Sequence, residues 1–332
     1  MPDTDPDTGG SEVQDEPSDD PRTDRQTTEA NRHLGSAAER PEDVREEQAR
    51  GIELLCRSGS SASSREQLDR RIAASYTLAN VARDAPRSLE DSLPTLIEEL
   101  RRETGQGVSD ETSDTCAPSR TIRNHLVRTV AHIIVSTPQT ATETEGFADF
   151  VDAVTSDLDE RTLRVASKAL FAGADERSEE LASATELLSE LLVSPDETVQ
   201  AWGAGTVGRV AENHPDAVAS TTANLHRFLE HDNTTVQHNA VEALGSFVCE
   251  RPDTVAPAAD ALRGLLAHEE TAIQYNAAGV LGWLAEDHPH AVIPAVGDLE
   301  SLRDHDDEAV RRIAMRALAR LTNARSDGGA DR

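Results

Sequence analysis

Lysine is almost absent from this chain: Lys168 is the only one among 332 residues, and every other basic residue is arginine. Aromatic residues are scarce as well, at 3% of the total, so a core organised around large rings is excluded and Ala, Leu and Val must carry the packing. That composition suits helices that approach one another closely. The three cysteines, Cys56, Cys116 and Cys249, are scattered and odd in number, so neither a disulfide framework nor a metal-ligand spacing emerges. No apolar stretch approaches the ~18–20 residues needed to cross a bilayer. The acidic start holds no apolar signal-peptide region. A cytoplasmic address with no membrane partner is the expectation.

Negative charge is abundant: 62 Asp and Glu stand against 32 Lys and Arg, a formal charge of −30. Nucleic-acid affinity rests on cations neutralising phosphates. Read along the chain, no basic stripe with interleaved aromatics appears, so a nucleic-acid partner is not expected. An acidic excess with almost no lysine resembles the proteome style of salt-loving archaea. Molar salt shortens the Debye length to ~3 Å and screens the self-repulsion that would weaken such a fold in dilute buffer.

The ordering signal is a 37-residue register. Val199, Val236, Ile273 and Val310 are each 37 residues apart. Counting them as offset 0, Gly203, Ala240, Ala277 and Ala314 follow at +4, and Val207, Leu244, Leu281 and Leu318 at +8. Earlier units fit at Thr162, Ile122 and Arg70. Five of the six complete units place proline at +16: Pro86, Pro138, Pro215, Pro252 and Pro289. Offsets 0, 4, 8 and 11 lie on one helical face, and a proline at +16 ends that helix and suits the start of a second. The second carries Val218, Val255 and Val292 at +19, and Leu225, Leu262 and Leu299 at +26. Pro257 and Pro294, at +21, belong near its start or bend it. A helical hairpin of this kind buries its apolar face only by stacking. The expected fold is therefore all-α, an α-α superhelix of about seven hairpin units, the last keeping only its first helix. The expected organisation is an acidic disordered tail over 1–30 and a helical segment, a candidate N-terminal cap, over 31–64. The solenoid spans 65–322 with a polar insertion at 103–119, and a second disordered tail covers 323–332.

Asp307-Glu308-Ala309-Val310-Arg311, with Ala314 and Leu318 downstream, resembles the HEAT-repeat signature Asp-x-x-Val-Arg. The segments beginning Val236-Gln237 and Ile273-Gln274 resemble it too, with Gln in place of Arg. The nearest subgroup is the short HEAT-like repeat of bilin lyases, and the likeness is closest over about 160–321 and looser over 65–159. It implies a non-enzymatic scaffold with no cofactor, whose concave surface, built from second helices, binds a protein or peptide. Two alternatives remain at this point: an enzyme-associated protein of bilin-lyase type, and a nucleic-acid-associated helical repeat.

Several constellations bear on chemistry. In one HEAT branch, deoxyhypusine hydroxylase, paired His-Glu motifs at +2 and +3 hold iron; here those offsets read His238-Asn239 and Tyr275-Asn276, without the glutamates. Asn239 and Asn276 are instead expected to hydrogen-bond in the seam between repeats. His231, His268 and His305 recur at −5, a position expected to serve the inter-repeat turn. Gly203, Gly205 and Gly208 mimic a dinucleotide fingerprint, but with no preceding strand they read as close-packing glycines. The candidate partner-binding residues are Tyr275, expected to point outward, and the stripe Arg312, Arg316 and Arg320. The stripe reads either as the polar face of a capping repeat or as a dock for an acidic partner or the chain's own acidic N-terminal tail.

Overall fold

The computed structural model describes residues 41–56, 65–105, 116–139 and 146–327. Among these residues there are helices and turns but no strand, and the helices stack in two layers as an α-α solenoid. The long-helix layer consists of α1 (Pro41–Cys56), α2 (Arg65–Asp84), α3 (Cys116–Ser136) and α4 (Glu160–Gly173). It continues with α5 (Glu197–Asn213), α6 (Thr234–Val248), α7 (Thr271–Asp287) and α8 (Glu308–Asp327). The predicted tail over 1–30 lies outside the described residues, as does the middle of the 103–119 insertion. The end of α8 runs through Asn323 to Asp327, where the sequence reading expects a tail.

The register residues are the core. Ile122, Val199, Val236, Ile273 and Val310 are fully buried, and so are Leu126, Leu170, Val207, Leu244 and Leu281. Thr162 takes the same seat as a buried polar residue because its hydroxyl donates to Asp159 Oδ2 at 2.8 Å. Two ends depart from the pattern. In α2 the buried ladder is Ala74, Leu78 and Ala82, which leaves Arg70 exposed. In α8 Leu318 is only partly buried, since no further unit covers it.

Each long helix starts and stops for a local reason. At offset −3 Asp159, Asp196, Asn233 and Asp307 turn a side-chain oxygen onto the first free backbone N–H groups, worth about 1 kcal/mol each. Glu270 occupies the same place in α7 without a side-chain cap bond. At +1, Gln200, Gln237 and Arg311 reach back to turn carbonyls; Arg311 Nη1 donates to His305 O at 2.6 Å and Asp306 O at 2.7 Å. The signature Asp-x-x-Val-Arg is thus a cap, a core residue and a turn clasp. At the other end, a residue before proline cannot stay helical. His214, Arg251 and His288 all leave the α region in the same way, with φ/ψ of −133°/53°, −132°/52° and −123°/56°.

The second layer is less regular than one continuous helix per unit. Pro215–Val218, Pro252–Val255 and Pro289–Val292 are single turns, each followed by a 3-10 turn and then a short helix such as Ala259–Gly264. Pro257 and Pro294 sit inside those 3-10 turns. In the unit that lacks the +16 proline, Ser178 opens a short helix in its place.

Candidate interaction surface

The two layers are spaced differently. Neighbouring long helices make the most extensive contacts in the molecule, while successive second-layer helices barely meet. Glycine and alanine allow the approach: a Cβ on Gly208 of α5 would lie 3.0 Å from Ala243 Cα of α6, and one on Gly282 of α7 would lie 3.0 Å from Ala317 Cα of α8. In a curved stack the more closely spaced layer takes the inner side. The packing therefore does not support second helices as the concave surface: the long helices form the more closely packed layer. Periodicity identifies which face of a helix is buried, but not which layer is tighter.

The exposed face of the long helices lies opposite the core, at offsets +2, +3, +6 and +10. These fall within a ~100° sector at 100° per residue. Across the seven units this face holds both tryptophans and both tyrosines of the chain, as Tyr76, Trp202, Tyr275 and Trp283. At these four offsets it also holds seven cations, including the single lysine, and one acid, Glu242, while +13 in the same sector of the long helices adds Arg83, Glu212 and Glu286. In a chain with nearly twice as many acids as bases this is an inversion of composition. A basic stripe with interleaved aromatics therefore exists, although none is visible along the linear sequence. Once the register was known, reading down the +2, +3, +6 and +10 columns would have found it.

The face has two patches. Around α2–α5, Trp202 packs on Phe171 with ring centroids 5.0 Å apart, Lys168 Nζ lies 5.7 Å from the Trp202 ring, and the Arg209 guanidinium lies 4.1 Å from the Phe171 centroid. Arg209 is paired with Asp175. Further in, His125 Nδ1 is 3.0 Å from Ser75 Oγ, and Tyr76 meets its ring edge-on. Burial, then the nearby Arg128 charge, pushes the His125 pKa down to about 4, so the ring is neutral. Burial also lowers His132, and the cations Arg128, Arg83 and Lys168 all push in the same direction. Arg128 itself is held down chiefly by loss of hydration.

The second patch lies on α7–α8. Tyr275 and Trp283 are 40% and 41% exposed, the outward pointing expected of Tyr275. The Arg312, Arg316, Arg320 stripe divides. Arg320 Cζ sits 3.2 Å from the Trp283 ring centroid and its Nε 3.1 Å from Glu286 Oε1, so it clamps α8 to α7. Arg312 and Arg316 are exposed. Among the described residues no carboxylate forms a salt bridge with Arg312, Arg316, Arg128 or Lys168, whereas Arg164 and Arg209 are paired.

Other candidates resolve into structural roles. His231, His268 and His305 each accept a backbone N–H at Nδ1, from Asn233, Glu270 and Asp307, all at 2.9 Å. Ser194 does the same for Asp196 at 3.3 Å. His268 Nε2 also meets Gln237 Oε1 at 3.0 Å across the repeat boundary. Asn239 Nδ2 donates to Ala201 O of the preceding unit at 2.7 Å, as a seam residue should. His238 pairs with Glu242 at 3.7 Å within its own helix. Among the described residues no group of three or more His, Cys, Asp or Glu is placed to hold a metal ion. The three fingerprint-like glycines face three different neighbours: Leu191, Phe171 and Ala243.

One polar cluster was not foreseen. Glu99 and Glu103 turn inward at the N-terminal end, with side chains 3% and 1% exposed. Arg71 Nη2 is 2.6 Å from Glu103 and 3.5 Å from Glu99, Arg102 also pairs with Glu99, and Ser119 donates to Glu103. Burial raises the Glu99 pKa. Both carboxylates are occupied and closed to solvent, so the cluster joins helices rather than offering a reactive pair. Among the described residues no helix is long and apolar enough to cross a membrane.

Residues 221–319 match the family model of HEAT repeats. No curated protein sequence matches the chain. Among solved structures, the chain is similar to an engineered protein at 18% identity, covering 83% of this chain and 97% of that one with a TM-score of 0.44. A designed armadillo repeat protein in complex with the peptide (KR)4 is 16% identical, covering 82% and 98% with a TM-score of 0.44.

Proposed function

We propose, for a chain whose residues 221–319 are HEAT repeats, that the protein is a non-enzymatic scaffold holding a protein or peptide partner against the exposed face of its long helices. The observation that carries this reading is the inverted composition of that face: all of the Trp and Tyr and, with Arg83 at +13, eight cations, against the acids Glu242, Glu212 and Glu286. Trp, Tyr and Arg are the side chains that most often dominate interface energetics. In this reading Tyr275, Arg312 and Arg316 contact the partner, and Arg320 supports them by fixing Trp283. The acidic excess and the single lysine support a setting in the cytoplasm of a halophilic archaeon.

The test is capture of tagged protein from its native host in molar salt, side by side with a Tyr275→Ala/Arg316→Glu variant and an Arg303→Glu control on the second layer. One stoichiometric protein partner, retained by the control and lost by the face variant, is the expected result. A partner held equally by all three proteins would move the binding surface elsewhere. Recovery without any partner would remove the scaffold reading.

A further inference from the structure

The patch on α2–α5 combines three features that together suit one class of binding partner. Arg128 and Lys168 have no carboxylate partner among the described residues, although most arginines around them do. Arg128 is only partly exposed, so its charge has lost hydration, and Asp159 acts on it only from a distance, without a salt bridge. His132 beside it is faced by Arg128, Arg83 and Lys168, with Asp84 as the one nearby acid, and Asp84 is already paired with Arg83. Tyr76 and Trp202 flank these cations with ring surface. A site of this kind takes carboxylates joined by stiff apolar groups: guanidinium binds carboxylate in a fork, and proline rings pack on aromatic faces in extended chains.

The chain carries a segment of that chemistry. Residues 1–20 contain eight Asp or Glu, no Lys or Arg, and prolines at Pro2, Pro6 and Pro17, in runs such as Pro2-Asp3-Thr4-Asp5-Pro6-Asp7. They are joined to α1 through residues 21–40. A link of that length has a root-mean-square reach of ~25 Å if unstructured. From α1 to α4, which carries Lys168, there are three helix-packing steps of ~10 Å, since α1 packs on α2, α2 on α3 and α3 on α4, a span covered by the link together with the length of residues 1–20 themselves. Tethering raises the effective concentration of such a segment to the millimolar range.

We infer that the acidic, proline-bearing residues 1–20 dock on the Arg128, His132, Lys168 and Trp202 patch of their own chain, as a tethered competitor for part of the partner-binding face. The contact rests on the same face as the proposed function but does not require an outside partner. A face that captures no partner would still hold the segment, and a segment that does not dock would leave partner capture at Tyr275 and Arg316 untouched.

Lys168 makes the test unusually direct, because it is the only side-chain amine in the protein. Zero-length carbodiimide coupling joins a carboxyl to an amine with loss of water, so every side-chain link reports the surroundings of Lys168. The experiment treats the full chain at the lowest salt that preserves its helical circular dichroism, and maps the links by mass spectrometry. A mixture of isotopically light and heavy protein separates links within a chain from links between chains. The expected product joins Lys168 to Asp or Glu within residues 1–20 of the same chain. A second protein carrying Asp15→Asn, Glu16→Gln, Asp19→Asn and Asp20→Asn leaves every described helix unchanged. Its link yield to the carboxyls that both proteins keep, Asp3, Asp5, Asp7 and Glu12, should fall about tenfold, the worth of one lost charge-assisted contact. Links only to carboxylates of the solenoid would overturn the inference. Mixed light–heavy links would overturn it in favour of a second copy of the chain. A wild-type link to residues 1–20 displaced by added single-stranded oligonucleotide, but not by a peptide of residues 1–20, would overturn it in favour of nucleic acid as the natural occupant.

Discussion

Arg320 sits over the indole of Trp283, its guanidinium carbon 3.2 Å from the ring centroid, while its Nε pairs with Glu286 at 3.1 Å. One arginine thus fastens the last long helix to the one before it. Arg312 and Arg316, two turns and one turn earlier on the same stripe, carry no such load. Arg320→Ala is expected to lower stability by about 1 kcal/mol, the range of a half-exposed cation–π contact, and to shift Trp283 emission. Arg312→Ala and Arg316→Ala should leave chemical denaturation within ~0.5 kcal/mol of wild type. Equal losses from all three would dissolve the distinction.

Gly282 and Gly279 are three residues apart on α7 and should respond oppositely to alanine. At Gly282 the new methyl would sit 3.0 Å from Ala317 Cα and Cβ, against backbone that cannot yield cheaply, and overpacking of this kind costs ~1–3 kcal/mol. At Gly279 the nearest atom is Ile313 Cγ1 at 3.7 Å, ordinary contact. There the helix propensity of alanine should add up to ~1 kcal/mol. Denaturant midpoints of the two single variants are the check.

The caps give a matched pair. Asp196 accepts from Thr198 N at 2.8 Å and Val199 N at 3.2 Å, so Asp196→Ala should cost ~1–2 kcal/mol. Glu270 caps no N–H group with its side chain. Shortening it, Glu270→Asp, places an oxygen where the other units have one and should raise stability by ~0.5–1 kcal/mol. A thermal melt in which Glu270→Asp destabilises would show that α7 starts on different principles from its neighbours.

His125 links the fold to pH. Its folded pKa, about 4, lies below the 6.5 of an ordinary histidine because burial and the Arg128 charge disfavour the cation. A depressed histidine favours the native state while neutral. Its contribution is complete above pH 6.5 and is lost as pH falls from 6.5 toward 4. The loss between pH 7 and pH 5 amounts to roughly 2 kcal/mol. His125→Asn should remove that part of the pH dependence, seen as a flatter difference in denaturation midpoint between the two pH values.

Most of the fold was legible because a stacked repeat writes its core into every unit. Val199, Val236, Ile273 and Val310 name the buried face, the +16 prolines name the breaks, and the polar residue at −3 names the start of the long helices from α4 to α8. What stayed hidden depends on contacts between units. Curvature follows from how closely Gly208 meets Ala243 compared with the spacing in the second layer, and no single unit encodes that comparison. Glu99 and Glu103 read as ordinary surface acids until Arg71 is brought to them from another helix. The cationic face was hidden for a different reason: its residues lie tens of positions apart, and an average charge of −30 conceals a local reversal of sign.

The turn clasps at the repeat boundaries have a consequence for how such a protein changes length. At each boundary the polar groups are met within one unit and its immediate neighbour: His268 by Glu270 and Gln237, Asn239 by Ala201. Nothing in that arrangement refers to the units beyond. A duplicated 37-residue cassette inserted at the Asn233 boundary would find each of its joints already made, and would lengthen the molecule by one helix spacing, ~10 Å. Length is then a heritable dial turned in fixed clicks, and the span of whatever the long helices hold can be matched by gene duplication without redesigning a single contact.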